Sequence, residues 1–173
     1  MHTLHLLRHA KSSWKDDIED HQRGLSRRGR EAARRVAEHL PAAVGPLDLA
    51  LASSALRTRQ TLDLVLARFA PQPRILIEDE LYLASAERLL ERLRRLADED
   101  RNVLLIGHNP GLRELALALA DAAAPASLPL VSSKFPTAAR VSFRIATAWP
   151  ALGRSRLTPA AYVTVESLPG GKD

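Results

Sequence analysis

Residues 3–11 read TLHLLRHAK, and this stretch decides how the 173-residue chain begins to fold. The run from Thr3 to Leu7 is short and mainly apolar, and charged and small residues follow it at once. Such a run is typical of a buried strand that leads into a loop. Arg8 and His9 therefore stand just past the end of a predicted strand, and later parts of the chain repeat this arrangement.

Further strands are predicted from short apolar or alternating runs at 47–52, 74–77, 103–106, 140–146 and 161–165. Helical segments separate the first four strands, and this alternation favours parallel pairing. We therefore predict one α/β domain over residues 1–173, with three layers, a mainly parallel central sheet of about six strands and helices on both faces. Ligand sites in such sheets form beyond the carboxyl ends of the strands.

The helices are predicted from apolar residues at a spacing of about 3.6, over 26–40, 54–69, 85–96 and 112–120. Ser26 and Ser85 are the predicted N-caps of the first and third helices, because a serine hydroxyl accepts a hydrogen bond from a free backbone N–H. Pro41 is predicted to end the first helix. Asn109 is the predicted N-cap of the last helix, with Pro110 at its first position.

The composition is that of an ordinary globular protein, with 46% apolar and 26% charged residues. No stretch approaches the roughly 20 apolar residues that span a bilayer, and the N-terminus lacks the pattern of a secretory signal. We therefore expect a cytoplasmic protein without membrane contact. The absence of cysteine excludes a thiolate nucleophile and thiolate metal ligands.

The formal net charge of +5 favours anionic partners, because arginine pairs with phosphate and carboxylate oxygens. A nucleic-acid surface is the competing interpretation of this charge. Aromatic residues for base stacking make up only 4% of the chain, and the sequence contains no recognisable nucleic-acid motif. We therefore predict no nucleic-acid partner.

Two histidines are predicted to meet although they lie far apart in the sequence. His9 follows the first strand and His108 follows the strand at 103–106, so both can project into one crevice. Arg8 adjoins His9, and Arg57 falls in the first turn of the second helix. A cation at a helix N-terminus opposes the helix dipole, unless a bound anion reverses the interaction. Together these residues predict a site for a phosphoryl group.

A neutral imidazole can attack phosphorus, and nearby arginines favour the neutral form of His9. The attacking nitrogen needs a free lone pair, so we predict that the other ring nitrogen of His9 donates to a backbone carbonyl. His108 is then the donor to the transferring phosphoryl group. We predict no cofactor and no metal: four residues along a strand place His5 and His9 roughly 13 Å apart.

A resemblance to a known family covers most of the chain. The stretches that carry it are LHLLRHAKSS, HQRGLSRRGREAA, SSALRTRQT, DELYLAS and VLLIGHNPGL. In this order and spacing they resemble the histidine phosphatase superfamily, and the short chain with its RHAK and GHNPGL segments most resembles the SixA-type phosphohistidine phosphatases. The resemblance implies a phosphoglycerate mutase-like fold.

The resemblance also implies roles for particular residues. Arg8, His9, Arg57 and His108 match the catalytic quartet of the family, with His9 as the residue that becomes phosphorylated. Arg23, in the RGL segment, matches a further phosphate-binding arginine. Larger members supply a carboxylate as general acid, for which Glu80 is the best positional match, whereas the smallest members are thought to manage without one.

A missing acid favours a phosphohistidine substrate, because an alkoxide leaving group needs a proton whereas an imidazole can already carry one. The leading hypothesis is therefore removal of phosphate from phosphohistidine on a partner protein. A phosphatase for small phosphorylated substrates and a non-catalytic phosphate-recognition module are the alternatives. The sequence predicts neither the physiological substrate nor the oligomeric state.

Overall fold

The structure is a computed structural model that describes residues 1–15 and 17–170, so residue 16 and the end of the predicted 1–173 domain lie outside it. Six strands are described: β1 (His2–Arg8), β2 (Leu49–Ser53), β3 (Arg74–Glu78), β4 (Asn102–Gly107), β5 (Arg140–Ile145) and β6 (Pro159–Val163). They form one sheet in the order β3-β2-β4-β1-β5-β6. The predicted six-stranded α/β class is confirmed.

The sheet is mixed, and the expectation of a mainly parallel sheet is wrong. Strands β3, β2, β4 and β1 pair in parallel, whereas β5 pairs antiparallel with both β1 and β6. Antiparallel neighbours need no crossover helix. The segment 120–139 returns the chain to the carboxyl end of β1, where Ala138 and Ala139 hydrogen-bond the backbone of Arg8. Strand β5 must therefore run in the opposite direction to β1.

Five helices are described in the same residues: α1 (Arg27–Val44), α2 (Leu56–Leu66), α3 (Ala86–Arg94), α4 (Gly111–Leu119) and α5 (Leu128–Ser132). Leu7 of β1 packs in one core with α1 and α2, whereas Leu4 and Leu6 pack in a second core with α3, α4 and α5. Successive strand residues face opposite sides of a sheet. The two cores give the three predicted layers.

The serine N-caps are confirmed, and the predicted end of the first helix is wrong. Ser26 Oγ accepts from Gly29 N at 3.0 Å, and Ser85 Oγ accepts from the N-terminal turn of α3. Pro41 lies inside α1, which continues to Val44. A proline removes one hydrogen bond from the helix interior, and here that loss falls in the last turn, where it interrupts little of the ladder.

The start of α4 also differs from the prediction. Pro110 is the N-cap residue and Gly111 the first helical residue. The Asn109 side chain does not cap the helix; its Nδ2 donates to the carbonyl oxygens of Lys134 and Phe135, at 3.2 and 3.0 Å. Asn109 therefore ties the loop after β4 to the segment before β5.

Gly29 lets the start of α1 approach the loop that follows β1. A Cβ built at this position would lie 2.0 Å from the Lys11 carbonyl oxygen, which no side chain tolerates. The same oxygen accepts from Ser26 N at 2.9 Å. The first turn of α1 thus holds the backbone two residues after His9. Within the described part of the chain, no helix is both long and apolar enough to cross a membrane.

Candidate active site

The carboxyl ends of three parallel strands bring the four predicted residues together. Arg8 ends β1 and His9 follows it, Arg57 lies in the first turn of α2 just after β2, and His108 directly follows β4. The His9 and His108 ring centroids are 5.1 Å apart, and Arg57 Nη2 lies 3.3 Å from His108 Nδ1. All four side chains line a cavity of about 680 Å³.

His9 has the hydrogen bond predicted for it. Its Nδ1 lies 2.7 Å from the Ala10 carbonyl oxygen, so Nδ1 carries the proton and Nε2 keeps its lone pair. Burial lowers the pKa of His9 to about 4, with the charges of Arg57, Arg8 and Arg23 acting in the same direction. The ring is therefore neutral at pH 7, as a nucleophile must be.

A chain of hydroxyl groups sets the tautomer of His108. Thr58 Oγ1 lies 2.6 Å from the Ala55 carbonyl oxygen and 2.8 Å from that of Ser53, so its proton is used on a carbonyl. Ser53 Oγ must then donate to Thr58 Oγ1, at 2.8 Å, which leaves a Ser53 lone pair for His108 Nε2 at 2.6 Å. His108 Nε2 therefore carries the proton, and Nδ1 accepts from Arg57.

The pKa of His108 is lowered to about 3, first by burial and then by its proximity to the titrating ring of His9 and to the charge of Arg57. The free site thus contains two neutral imidazoles. A bound phosphoryl dianion opposes these effects and favours a second proton on His108, which the hydroxyl chain directs to Nδ1. That nitrogen lies on the side of Arg57.

We predict that Ser53→Ala lowers kcat by about tenfold, the cost of one buried hydrogen bond. Without the Ser53 hydroxyl, the His108 ring can place its proton on either nitrogen. Nitrogen-15 NMR should show the Nε2–H tautomer in the wild type and a mixture in the variant. Ser54→Ala is the matched control, because Ser54 Oγ contacts His21 and not His108. An unchanged His108 spectrum in Ser53→Ala would contradict this role.

Arg23 also lies in the cavity, as the sequence predicts. Its guanidinium donates to Ser12 Oγ and, at 2.9 Å, to Asp20 Oδ1. The guanidinium carbon lies 3.6 Å from the centre of the Trp14 ring, a cation–π contact. These contacts hold Arg23 beside His9.

Asp20 is a site residue that sequence reasoning missed. Its Oδ2 lies 3.0 Å from Arg57 Nη2 and accepts from the Tyr82 hydroxyl, while Oδ1 accepts from Arg23. The Tyr82 hydroxyl and the two arginines hold the pKa of Asp20 well below its ordinary value. The sequence signal that could have identified Asp20 is its position three residues before Arg23, where a carboxylate can pair with the arginine. The irregular segment around it shows no helical or strand periodicity.

The structure does not bring Glu80 into the cavity. Glu80 lies in a single turn of 3-10 helix over Asp79–Leu81, and its Oε1 lies 2.7 Å from Arg95 Nη2 and 3.4 Å from Arg92 Nε. Both arginines belong to the end of α3 or follow it directly. The turn directs Tyr82, and not the preceding carboxylates, to the site.

The buried histidines make stability depend on pH. The pKa values of His5 and His9 are lowered from 6.5 to about 4, and that of His108 to about 3, mainly by burial. Between pH 4 and 6.5 the unfolded chain therefore binds more protons than the folded protein, so the free energy of unfolding rises with pH in this window. We expect Tm to fall as the pH drops from 7 to 4.5, and to fall less steeply in His9→Gln. If Tm fell equally steeply with pH in the wild type and in His9→Gln, His9 would not contribute to this pH dependence.

No group of three or more potential metal ligands occurs among residues 1–15 and 17–170. The positive charge in the cavity comes from arginines and lysines, of which Lys11 and Lys134 lie at its rim. These side chains give the cavity an excess of positive charge.

Comparisons with known proteins agree with this geometry. The family model of the histidine phosphatase superfamily (branch 1) matches residues 4–82. An uncharacterised protein of Mycobacterium tuberculosis is 34% identical over 145 residues, covering 83% of this chain and 89% of the relative.

Two solved structures share the fold over 94% of the chain. The Agrobacterium tumefaciens protein proposed to be the phosphohistidine phosphatase SixA superposes with a TM-score of 0.79 at 27% identity, with 97% of its own chain covered. A protein of Nakamurella multipartitia given the same proposed function superposes with a TM-score of 0.81 at 24% identity, with 95% covered.

The chain has a phosphoglycerate mutase-like fold with a cavity at its strand ends. Together with the family model and the 27% identical structure, this defines the class of protein as a phosphatase, a hydrolase. The particular family follows from the matched residues 4–82, which include most of β1 and the site residues His9, Arg23 and Arg57. The chain belongs to the histidine phosphatase superfamily.

Proposed function

We propose that this phosphatase acts without a metal and hydrolyses phosphohistidine on a partner protein, with His9 as the nucleophile. The observation that carries the substrate proposal is the ionisation state of the Asp20 carboxyl group. Among the described residues lining the cavity it is the one carboxylate, and its lowered pKa keeps it ionised at neutral pH. It therefore cannot protonate an alkoxide leaving group.

The arginines bind the phosphoryl oxygens in this mechanism. Arg8 Nε and Arg57 Nε are buried and have no hydrogen-bond partner among the described residues. Both side chains also line the cavity, where their guanidinium groups can donate to a bound oxyanion. Together with Arg23 these groups neutralise the charge of the phosphoryl group without a metal ion.

His9 Nε2 attacks phosphorus while the bond between phosphorus and the substrate nitrogen breaks. The bonding electron pair returns to the substrate ring, which leaves as neutral imidazole if its second nitrogen already carries a proton. His108 Nδ1, protonated in the presence of the dianion, donates to a phosphoryl oxygen. Water then attacks phospho-His9, the phosphorus–Nε2 bond breaks, and phosphate is released with the protons of the water shared between its oxygens and solvent.

The rim of the cavity suits a phosphate carried by a protein. Trp14 is 77% exposed and Leu83 is 55% exposed, and both line the opening beside Lys11 and Lys134. Exposed apolar side chains next to a binding cavity are a common feature of protein contact surfaces. The lysines add attraction for an acidic partner.

A comparison of substrates tests the proposal. We expect kcat/KM for a histidine-phosphorylated protein domain to exceed that for a phosphoserine peptide by at least about 100-fold, because Asp20 is ionised and His108 donates to a phosphoryl oxygen, so neither protonates a departing alkoxide. 4-Nitrophenyl phosphate should fall between them, since its leaving group needs little protonation. Equal or faster turnover of phosphoserine would refute the phosphohistidine assignment and leave a general phosphatase.

Asp20 is expected to contribute to this preference. Its carboxylate attracts the protonated, positively charged ring of the phosphohistidine before the bond breaks, so Asp20→Asn should lower the ratio of phosphohistidine to 4-nitrophenyl phosphate turnover by about tenfold. Glu19→Gln is the matched control, because Glu19 is exposed and does not line the cavity. A parallel loss on both substrates would show that Asp20 only positions the arginines.

A further inference from the structure

Arg140 is a buried cation that the proposed reaction does not use. The residue is only 7% exposed and stands at the start of β5. Among the residues that the structure describes, no carboxylate forms an ion pair with it. A buried charge is costly unless an opposite charge compensates it. No anion among the described residues therefore offsets the charge of Arg140.

Neutral groups hold Arg140 in a defined position. Its Nη1 donates to Ser142 Oγ, and Ser142 Oγ lies 2.7 Å from His5 Nδ1. His5 Nε2 lies 2.8 Å from Asn102 Oδ1, while Asn102 Nδ2 donates to the Val44 and Pro46 carbonyl oxygens. Each member of this chain has a partner, and none of them is an anion. The network orients the guanidinium without neutralising it.

Two cavities meet at Arg140. One has a volume of about 110 Å³ and is lined mainly by apolar side chains, among them Val36, Leu40 and Val163. The other has a volume of about 220 Å³ and contains Ser142 and the rim residue Arg144. A small apolar cavity with one fixed cation at its wall suits a ligand with an apolar body and one negative group.

These cavities are distinct from the phosphatase site. None of their lining residues lines the 680 Å³ cavity. The segment 136–140 separates them, since Pro136 and Thr137 face the phosphatase site whereas Ala138 and Arg140 face the other side. Anions bound at Arg140 and at His9 would therefore occupy separate places.

We propose that Arg140 binds the carboxylate of a small organic acid whose short aliphatic part fills the 110 Å³ cavity. A carboxylate matches a single guanidinium, to which it can bond through both oxygens. A phosphate dianion is a poorer match, because the phosphatase site uses three arginines to hold one phosphoryl group. The size of the cavity limits the apolar part to a few carbon atoms.

The test uses the full chain with its phosphatase site saturated by orthovanadate. Acetate, butyrate and hexanoate are titrated while the methyl NMR signals of Val36 and Val163 are followed, with 1-butanol as the neutral control. We expect saturable shifts that are largest for butyrate and absent for butanol. Arg140→Met should weaken butyrate binding at least tenfold, and Arg59→Met, at an exposed position of α2, should leave it unchanged.

A second variant separates loss of the site from loss of the fold. Val163 pairs directly with Arg140 across β5 and β6 and lines the same cavity, so Val163→Glu supplies an internal carboxylate. We expect this variant to have a raised Tm and no butyrate binding. Equal shifts with butanol and butyrate, butyrate binding retained in Arg140→Met, or a lowered Tm with retained binding in Val163→Glu would overturn the proposal.

Discussion

His9→Ala is expected to lower kcat for a phosphohistidine substrate by at least about 10⁴-fold, the scale of loss when a covalent nucleophile is removed. The expectation rests on three features of His9. Its Nδ1 proton is used on the Ala10 carbonyl, its Nε2 is free, and its lowered pKa keeps the ring neutral. Alanine removes the attacking atom and leaves the arginines in place.

Substrate binding should survive the loss of His9, so KM should change by much less than kcat. His2→Gln is a matched control, because His2 is a buried histidine of β1, the strand that precedes His9, and does not line the cavity. Its activity should stay within about twofold of the wild type, since His2 hydrogen-bonds the carbonyl oxygens of Thr147 and Asp98, neither of which lines the cavity. Residual turnover in His9→Ala near the wild-type rate would contradict a nucleophilic role.

Arg57→Lys is expected to lower kcat by about 10²- to 10³-fold, which is the usual loss for one donor to a transition-state oxyanion. Arg57 is 3% exposed, and its guanidinium contacts the Asp20 carbonyl at 2.7 Å, Asp20 Oδ2 at 3.0 Å and His108 at 3.3 Å. Lysine keeps the charge but cannot reach several partners from one planar group. The loss should therefore fall on kcat more than on KM.

Arg59→Lys provides the control for this variant. Arg59 lies in the same helix two residues further on, is exposed, and does not line the cavity. We expect its kinetics to match the wild type. If Arg57→Lys and Arg59→Lys behaved alike, the contacts of Arg57 would have no catalytic importance.

The convergence of Arg8, His9, Arg57 and His108 could be predicted because each follows a strand with a clear apolar signal. Parallel strands place their carboxyl ends at one edge of the sheet, so order along the chain was enough to bring these residues together. The serine N-caps were predictable for a similar reason, since the capping hydrogen bond is local.

Asp20 and Tyr82 could not be assigned to the site in the same way. Both lie in single turns of 3-10 helix or next to them, where no periodicity indicates a direction for the side chain. Their position depends on contacts over long sequence distances, such as the hydrogen bond between them. Glu80 matched the family pattern by its place in the sequence, yet Arg92 of α3 and Arg95 just after it hold it elsewhere.

The mixed sheet and the continuation of α1 past Pro41 escaped prediction for physical reasons. Strand direction depends on the path of the connection at 120–139, which contains the short helix α5 and has weak local signals. Pro41 has the breaking tendency expected of proline, but its position in the last turn limits the cost.

Trapping of the phosphoenzyme tests the central claim most directly. The chain is incubated with a radiolabelled phosphohistidine protein, quenched in denaturant, and examined for protein-bound phosphate by peptide mapping. We predict an acid-labile, base-stable label on His9, absent from His9→Ala and retained in His2→Gln. Turnover of the substrate with no label on the wild-type chain, or a label of undiminished intensity in His9→Ala, would contradict a phosphohistidine intermediate at His9.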